Sequence, residues 1–197
     1  VFEFRLRVYY EDTDAGGIVY YANYLKFIER ARTEALLSLG LSQIALRERY
    51  GIIFVVREVA ARYYASAQLE DQLLVTTRVA PVSGARIEMV QDVMRDREVL
   101  AKCRVALTCL GPRGRPVRLP AAVAEAFGRL ALVDGDVSTI HRFFGTSRAK
   151  SAMVPESRIT RPDDRAPPPG TGIFMESETI AAAQQIDYVA VSFARDA

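Results

Sequence analysis

Four β-prone segments follow one another in this chain with connections too short to hold a helix. They are rich in Val, Ile, Thr and Tyr and span residues 53–65, 73–81, 85–96 and 99–110. Turn-forming pairs such as Glu70-Asp71 and Ser83-Gly84 separate them. Because parallel neighbours need a crossover of about a dozen residues or more, we expect neighbouring strands to run antiparallel.

A strand and a long helix are predicted ahead of these segments. Residues 3–11 alternate polar and apolar, as a half-buried strand does, and residues 12–17 have the short polar side chains and glycines of a loop. Apolar residues then recur every three or four positions from Tyr24 to Leu39, which predicts an amphipathic helix ending near Gly40. The pattern indicates an α+β fold with about five strands.

Shorter elements and the cysteines complete this domain. A helix is predicted from Ser42 to about Tyr50, ended by Gly51, and another over residues 120–132. In the last strand one face carries Cys103 and Cys109 with apolar neighbours, and the opposite face carries the polar Lys102, Arg104 and Thr108. Six residues of strand separate the two cysteines by about 20 Å, too far for a disulfide.

The composition changes after residue 132. We therefore expect a folded domain over residues 1–132, and a proline-rich, mostly disordered linker over 133–174. The tail at 175–197 has weak helical character and resembles the opening of another protein, so the hypothesis that it is not native to the domain stays open.

Charge, hydropathy and histidine content exclude several classes of protein. The net charge of +2, without a Lys/Arg stripe, argues against nucleic-acid binding. No apolar run reaches the roughly 18 residues of a membrane helix, and the start lacks a secretion signal, so we expect no membrane insertion and a cytoplasmic location. The single histidine, His141, lies outside the predicted domain, which excludes a Ser-His-Asp triad or a histidine-based zinc site there; we expect no metal and no cofactor.

The chemistry is predicted where the first strand gives way to the long helix. Asp14 lies in a glycine-containing loop ahead of that helix, whose start offers backbone N–H groups with a partial positive charge. A carboxylate and an oxyanion site facing one carbonyl would suit hydrolysis of an activated acyl compound. The alternative is that Asp12 and Asp14 are only turn and cap residues. A calcium loop fits poorly, because Gly16 and Asn23 stand where ligands are needed, and the lysine of a phosphate loop is missing.

The residues of this loop and helix also carry a family resemblance. The motif comprises Val8-Tyr-Tyr-Glu-Asp-Thr-Asp-Ala-Gly-Gly-Ile-Val-Tyr-Tyr-Ala-Asn-Tyr-Leu25, followed by Phe27 and residues 29–34. It strongly resembles the hotdog-fold acyl-CoA thioesterases of the 4-hydroxybenzoyl-CoA thioesterase family. Within that family the Tol-Pal-associated acyl-CoA thioesterases are most similar. The resemblance continues through residues 54–57, 63–65 and 69–71 and fades after Pro120.

The resemblance implies a fold, an assembly and a reaction. The fold would be a long helix wrapped by an antiparallel sheet, in dimers joined at their sheet edges that often pair into tetramers, with active sites between subunits. The reaction would release a free acid and CoA from a short- or medium-chain acyl-CoA. Matched residue by residue, Asp14 is the nucleophile or general base, the backbone N–H of Tyr21 is the oxyanion donor, and Tyr10 lines the pocket.

Alternatives accompany these assignments. Asn23 is a candidate substrate contact or a stabiliser of the helix start, and Arg57 either contacts CoA phosphates or forms a structural ion pair. Tyr10 and Tyr24 could both be core aromatics.

One departure from the pattern widens the choice of function. The Tol-Pal-associated members usually have histidine at the position of Tyr21, and the aroyl-CoA enzymes have tyrosine there. The alternatives are therefore an aroyl-CoA thioesterase, or a weakly active module that binds acyl carrier protein or envelope-lipid enzymes.

Overall fold

The computed structural model describes residues 1–131, which contain five strands and three α-helices. The strands are β1 (Phe2–Arg7), β2 (Ile53–Tyr63), β3 (Gln72–Val79), β4 (Arg86–Arg95) and β5 (Glu98–Leu110). The helices are α1 (Asn23–Ser38), α2 (Gln43–Tyr50) and α3 (Ala121–Gly128). The predicted linker, the tail and His141 lie outside the described residues.

The strands form one antiparallel sheet in the order β1-β3-β4-β5-β2. A tight turn with Asp96 at φ 54° joins β4 to β5, and β2 pairs with β5 from Ile53 opposite Leu110 to Tyr63 opposite Ala101. A bulge between Val56 and Glu58 interrupts this register. The predicted α+β fold with five antiparallel strands is confirmed, and β1 and β2 form the two edges.

The core lies between α1 and one face of the sheet. Apolar residues of α1, spaced three and four apart, pack on the inward-facing residues of β1, β3 and β4; the largest buried side chains include Phe27, Ile28, Ile87 and Met89. Cys103 and Cys109 are free thiols in this core, as predicted. Burial raises the pKa of Cys103 to about 12.

The end of α1 and the whole of α2 follow the predicted signals. Gly40 takes φ +73° just beyond α1, and Gly51 takes φ 65° at the C-cap of α2. At the other end of α2, the Ser42 hydroxyl accepts a hydrogen bond from the N–H of Ala45.

Two details of the prediction are wrong. The first strand ends at Arg7 instead of Glu11, because the chain turns into a 3-10 turn at Tyr10–Asp12. Helix α3 ends at Gly128, four residues early. On the outer face of β5, Arg104 is 4% exposed and forms ion pairs with Glu58 and Glu88.

No helix within residues 1–131 is long and apolar enough to cross a bilayer.

Candidate active site

The loop that carries Asp14 is a short hairpin standing on the start of α1. Its two arms are joined by the N–H of Tyr20 donating to Asp12 O (2.9 Å) and the N–H of Asp14 donating to Ile18 O (2.9 Å). The N–H of Gly17, at φ 74°, closes the turn on Asp14 O (3.0 Å). The hairpin is therefore an ordered platform, with Asp14 at the tip and Tyr21 at the base.

The two aspartates of this loop have different environments. Asp12 is buried, and its Oδ2 accepts a hydrogen bond from the N–H of Tyr9 (2.9 Å), so it stabilises the 3-10 turn. Asp14 is exposed, and its Oδ1 accepts a hydrogen bond from the N–H of Gly16 (2.8 Å). Among residues 1–131, no hydrogen bond reaches Oδ2 of Asp14. The turn-and-cap interpretation thus describes Asp12 fully and accounts for only one oxygen of Asp14.

The hairpin is tied to the rest of the fold from two sides. On the helix side, Asn23 is buried and its Nδ2 donates to Asp12 O (2.9 Å). On the sheet side, the N–H of Val19 donates to Ala67 O (2.8 Å). This hydrogen bond agrees with the interpretation of Asn23 as a stabiliser of the helix start. A contact between Asn23 and the substrate stays a prediction.

The start of α1 meets Tyr21 directly. Ala22 is the N-cap residue and provides no side-chain hydrogen bond to the first turn. The N–H of Asn23 donates to Tyr20 O (2.8 Å), and the Tyr21 carbonyl accepts from the Tyr63 hydroxyl (3.0 Å). The start of the helix, with its partial positive charge, therefore lies beside Tyr21.

The tyrosines divide between core and surface. Tyr24 is 2% exposed and packs on Phe27, which confirms its interpretation as a core aromatic. Tyr10 is 81% exposed, so the core interpretation is wrong for this residue. Tyr20 and Tyr21 pack against each other with ring centroids 4.6 Å apart and remain exposed.

Arg57 lies away from this loop within one subunit. It sits exposed at the bulge of β2, six residues before Tyr63, which corresponds to about 20 Å along a strand. No ion pair of Arg57 is present among residues 1–131. The structure thus gathers Asp14, Tyr10, Tyr21 and Asn23 around one loop and leaves Arg57 outside that group.

Two contributors to the site carry little signal in the sequence. Gly16 is adjacent to the carboxylate: a Cβ added there would lie 3.1 Å from Oδ1 of Asp14. Tyr63 belongs to a motif of the family resemblance, but strand periodicity indicates only which face its ring occupies. Within the described part of the chain, no cluster of three His, Cys, Asp or Glu could hold a metal ion.

Comparisons with known proteins agree with this architecture. A family model described as the Thioesterase-like superfamily matches residues 8–127. The acyl-CoA thioesterase YbgC of Haemophilus influenzae is 46% identical over 130 residues, which cover 66% of this chain and 96% of that protein. The acyl-CoA thioester hydrolase YbgC of Escherichia coli O6:H1 is 39% identical over 129 residues, covering 64% of this chain and 96% of that protein.

A solved structure extends the likeness to three dimensions. The probable thioesterase from Bartonella henselae is 36% identical to this chain, with a TM-score of 0.58, and the match covers 60% of this chain and 98% of that one. The predicted family, hotdog fold and enzyme class are confirmed. This chain belongs to the thioesterase-like superfamily and is a hotdog-fold thioesterase.

Proposed function

We propose that this protein hydrolyses the thioester of an acyl-CoA to a free acid and CoA, with Asp14 as the essential carboxylate. The observation that carries the proposal is the state of that carboxylate. One oxygen is fixed by the Gly16 N–H at 2.8 Å, and the other has no hydrogen-bond partner among residues 1–131. An oriented, exposed carboxylate oxygen is what attack on a carbonyl or on water requires.

The reaction balances without a cofactor. As nucleophile, Oδ2 of Asp14 bonds to the thioester carbonyl carbon, the C–S bond breaks, and water then hydrolyses the resulting anhydride. As general base, the carboxylate takes a proton from water while the water oxygen attacks the same carbon. Both routes pass through an oxyanion and release a thiolate that becomes protonated CoA.

The oxyanion donor in this proposal is the backbone N–H of Tyr21. The peptide that joins Tyr20 to Tyr21 directs its carbonyl towards the N–H of Asn23 at the helix start. Because the C=O and N–H of a trans peptide point in opposite directions, the Tyr21 N–H points away from that helix start. The histidine found at this position in related enzymes is replaced here, so a backbone donor is the contribution that Tyr21 can make.

The acyl group is proposed to be a short or medium aliphatic chain, with Tyr10 lining the pocket. An aroyl group is the second candidate, favoured by the tyrosine at position 21 and by the exposed rings of Tyr10, Tyr20 and Tyr21 around the loop. A binding module for acyl carrier protein or for envelope-lipid enzymes is the alternative outside catalysis. It would bind acyl groups without turnover.

The assembly is proposed to be a dimer or tetramer built from the β2 edge. This strand is 11 residues long, its outer edge is unpaired within residues 1–131, and Ile53 and Val56 on it are exposed. A long apolar edge of this kind pairs readily with another strand. Light scattering on the full chain distinguishes monomer, dimer and tetramer.

Three further assignments rest on the resemblance. Arg57 is proposed to contact the phosphates of CoA, which an active site between subunits would permit although Arg57 lies away from Asp14 in one subunit. The Tol-Pal association and the cytoplasmic location are likewise proposed from the resemblance alone. An Arg57→Met variant with raised KM and unchanged kcat would support the phosphate contact.

The decisive experiment compares Asp14→Asn with a matched control, Asp96→Asn. Asparagine keeps the shape of Asp14 and can accept the Gly16 N–H, so the fold should be preserved. Asp96 is an exposed turn residue at φ 54°, a conformation that asparagine tolerates. Free thiol release from aliphatic and aroyl CoA esters should fall by at least about 10² for Asp14→Asn and stay unchanged for Asp96→Asn.

The outcomes separate the candidates. The ester that turns over fastest identifies the acyl class. Equal activity in wild type and Asp14→Asn would remove Asp14 from the mechanism, and acyl-CoA affinity without turnover in wild type would favour the binding module. Transfer of oxygen-18 from labelled water to Asp14 during single turnover would indicate the covalent route.

A further inference from the structure

We propose that Tyr63 is a positioning residue, which holds the backbone of Tyr21 so that its N–H can stabilise the oxyanion. The hydroxyl of Tyr63 donates a hydrogen bond of 3.0 Å to the Tyr21 carbonyl. This inference rests on the proposed function, since it takes the Tyr21 N–H as the oxyanion donor.

The orientation of Tyr21 is set by the two peptide groups that flank its Cα. The preceding peptide is held at its carbonyl, Tyr20 O, by the N–H of Asn23 at 2.8 Å. The following peptide is held at its carbonyl, Tyr21 O, by Tyr63. Because each peptide is planar, holding both planes fixes the φ and ψ angles of Tyr21 and hence the direction of its N–H. Tyr63 supplies one of these two restraints.

Tyr63 is itself held from the core. Its ring meets the ring of Tyr24 nearly edge-on, with centroids 5.3 Å apart and planes at 73°. Tyr24 is buried in α1, and its hydroxyl accepts a hydrogen bond from the N–H of Ala67 at 2.9 Å. Burial raises the pKa of Tyr24, so this phenol stays neutral at physiological pH. A continuous set of contacts therefore runs from Ala67 through Tyr24 and Tyr63 to Tyr21.

The expected effect of losing this restraint is on turnover. Loss of a direct oxyanion donor lowers kcat by about 10²–10³. Loss of a positioning hydrogen bond leaves the donor in place but less ordered, so we expect a smaller fall of roughly tenfold. The contacts of the bound substrate in its ground state are unaffected, so KM should change little.

The test uses Tyr63→Phe, which removes the hydroxyl and keeps the ring against Tyr24. Tyr50→Phe is the matched control, because it removes a hydroxyl at the end of α2, outside the loop. We expect Tyr63→Phe to lower kcat roughly tenfold, with KM and melting temperature close to wild type. Amide hydrogen exchange in a peptide spanning residues 20–24 should become faster in this variant. Tyr50→Phe should stay within about twofold of wild type in every measurement.

Each other outcome overturns the inference. If kcat is unchanged in Tyr63→Phe while Asp14→Asn is inactive, the positioning role fails and the proposed function stands. A raised KM at constant kcat would assign Tyr63 to substrate binding, and a fall in kcat that accompanies a lower melting temperature would assign it to the fold. If the wild type hydrolyses no acyl-CoA ester, the proposed function fails and this inference fails with it.

Discussion

Replacing Gln91 with leucine should lower the free energy of unfolding by about 3–5 kcal/mol, although the side chain changes little in volume. Gln91 lies fully buried on the inward face of β4, beneath α1. Its Nε2 donates to Ile28 O (2.8 Å) and to Thr77 Oγ1 (2.9 Å), and its Oε1 accepts from Arg32 Nη1 (3.0 Å). Gln91 thus connects the middle of α1 to the centre of the sheet through hydrogen bonds.

The magnitude follows from these three hydrogen bonds. Each bond between neutral groups contributes about 1 kcal/mol, and the bond from the guanidinium about 1.5–3 kcal/mol. Burial lowers the pKa of Arg32, and Gln91 is the one acceptor of its guanidinium among residues 1–131. Leucine at position 91 would therefore leave a largely buried cation without a hydrogen bond, which is the largest part of the expected loss.

A double-mutant cycle isolates that part. Within the Gln91–Arg32 pair, each single variant leaves the other side chain without its partner, whereas the double variant removes both side chains. The loss in the double variant should therefore be smaller than the sum of the single losses by about 1–2 kcal/mol. Urea denaturation at one fixed protein concentration measures all four proteins, because assembly makes apparent stability depend on concentration. Arg30→Met, on the exposed face of α1, is the control and should change stability by less than about 0.5 kcal/mol. This account would be refuted if the losses of unfolding free energy in the two single variants simply added up in the double variant, or if Gln91→Leu lost less than about 1 kcal/mol.

Three further predictions concern the loop that carries Asp14 and the thiols. In Gly16→Ala the new methyl would lie 3.1 Å from Oδ1 of Asp14, so kcat should fall about 3- to 10-fold with little change in melting temperature; Gly17→Ala, at φ +74° with open space around it, should instead cost about 1 kcal/mol of stability and leave kcat near wild type. Cys103 and Cys109 should not react with Ellman's reagent at pH 8 until guanidinium unfolds the chain, and labelling of the native protein would contradict their burial. Because the pKa of Cys103 is raised to about 12 in the folded state, the free energy of unfolding should fall above about pH 8.5, where the unfolded thiol ionises first.

The strength of the local pattern decided which parts of the fold were predictable. Apolar spacing was sufficient for α1, and the tight turn at Asp96 fixed the pairing of β4 with β5. The position of β2 was not predictable from such signals. It pairs with β5 across some 40 residues of chain instead of with β3, its neighbour in sequence, and no turn or periodicity encodes that choice.

In the candidate site, too, some features could be predicted from the sequence and others could not. Asp12 and Asp14 are two residues apart in one polar loop, so the sequence could not tell which carboxylate is buried. The difference arises because the 3-10 turn brings the Tyr9 N–H onto Asp12, while the hairpin brings the Gly16 N–H onto Asp14. These bonds depend on backbone angles that residue type alone does not determine. The family resemblance pointed to Asp14, and the geometry supplies a physical reason for the distinction.

The surface around the hairpin indicates which residues could determine substrate specificity. Below the loop, Asn23, Val19 and Tyr24 are buried and connected to the fold, so the hairpin stands on a well-anchored base. Around it, four tyrosines carry large exposed rings, at positions 9, 10, 20 and 21. A group of exposed aromatic residues of this size is typical of a surface that a ligand or another subunit covers. If a second subunit covers it, the wall that selects the acyl chain comes from two chains, and substitutions in the tyrosines should alter acyl preference more than the chemistry at Asp14.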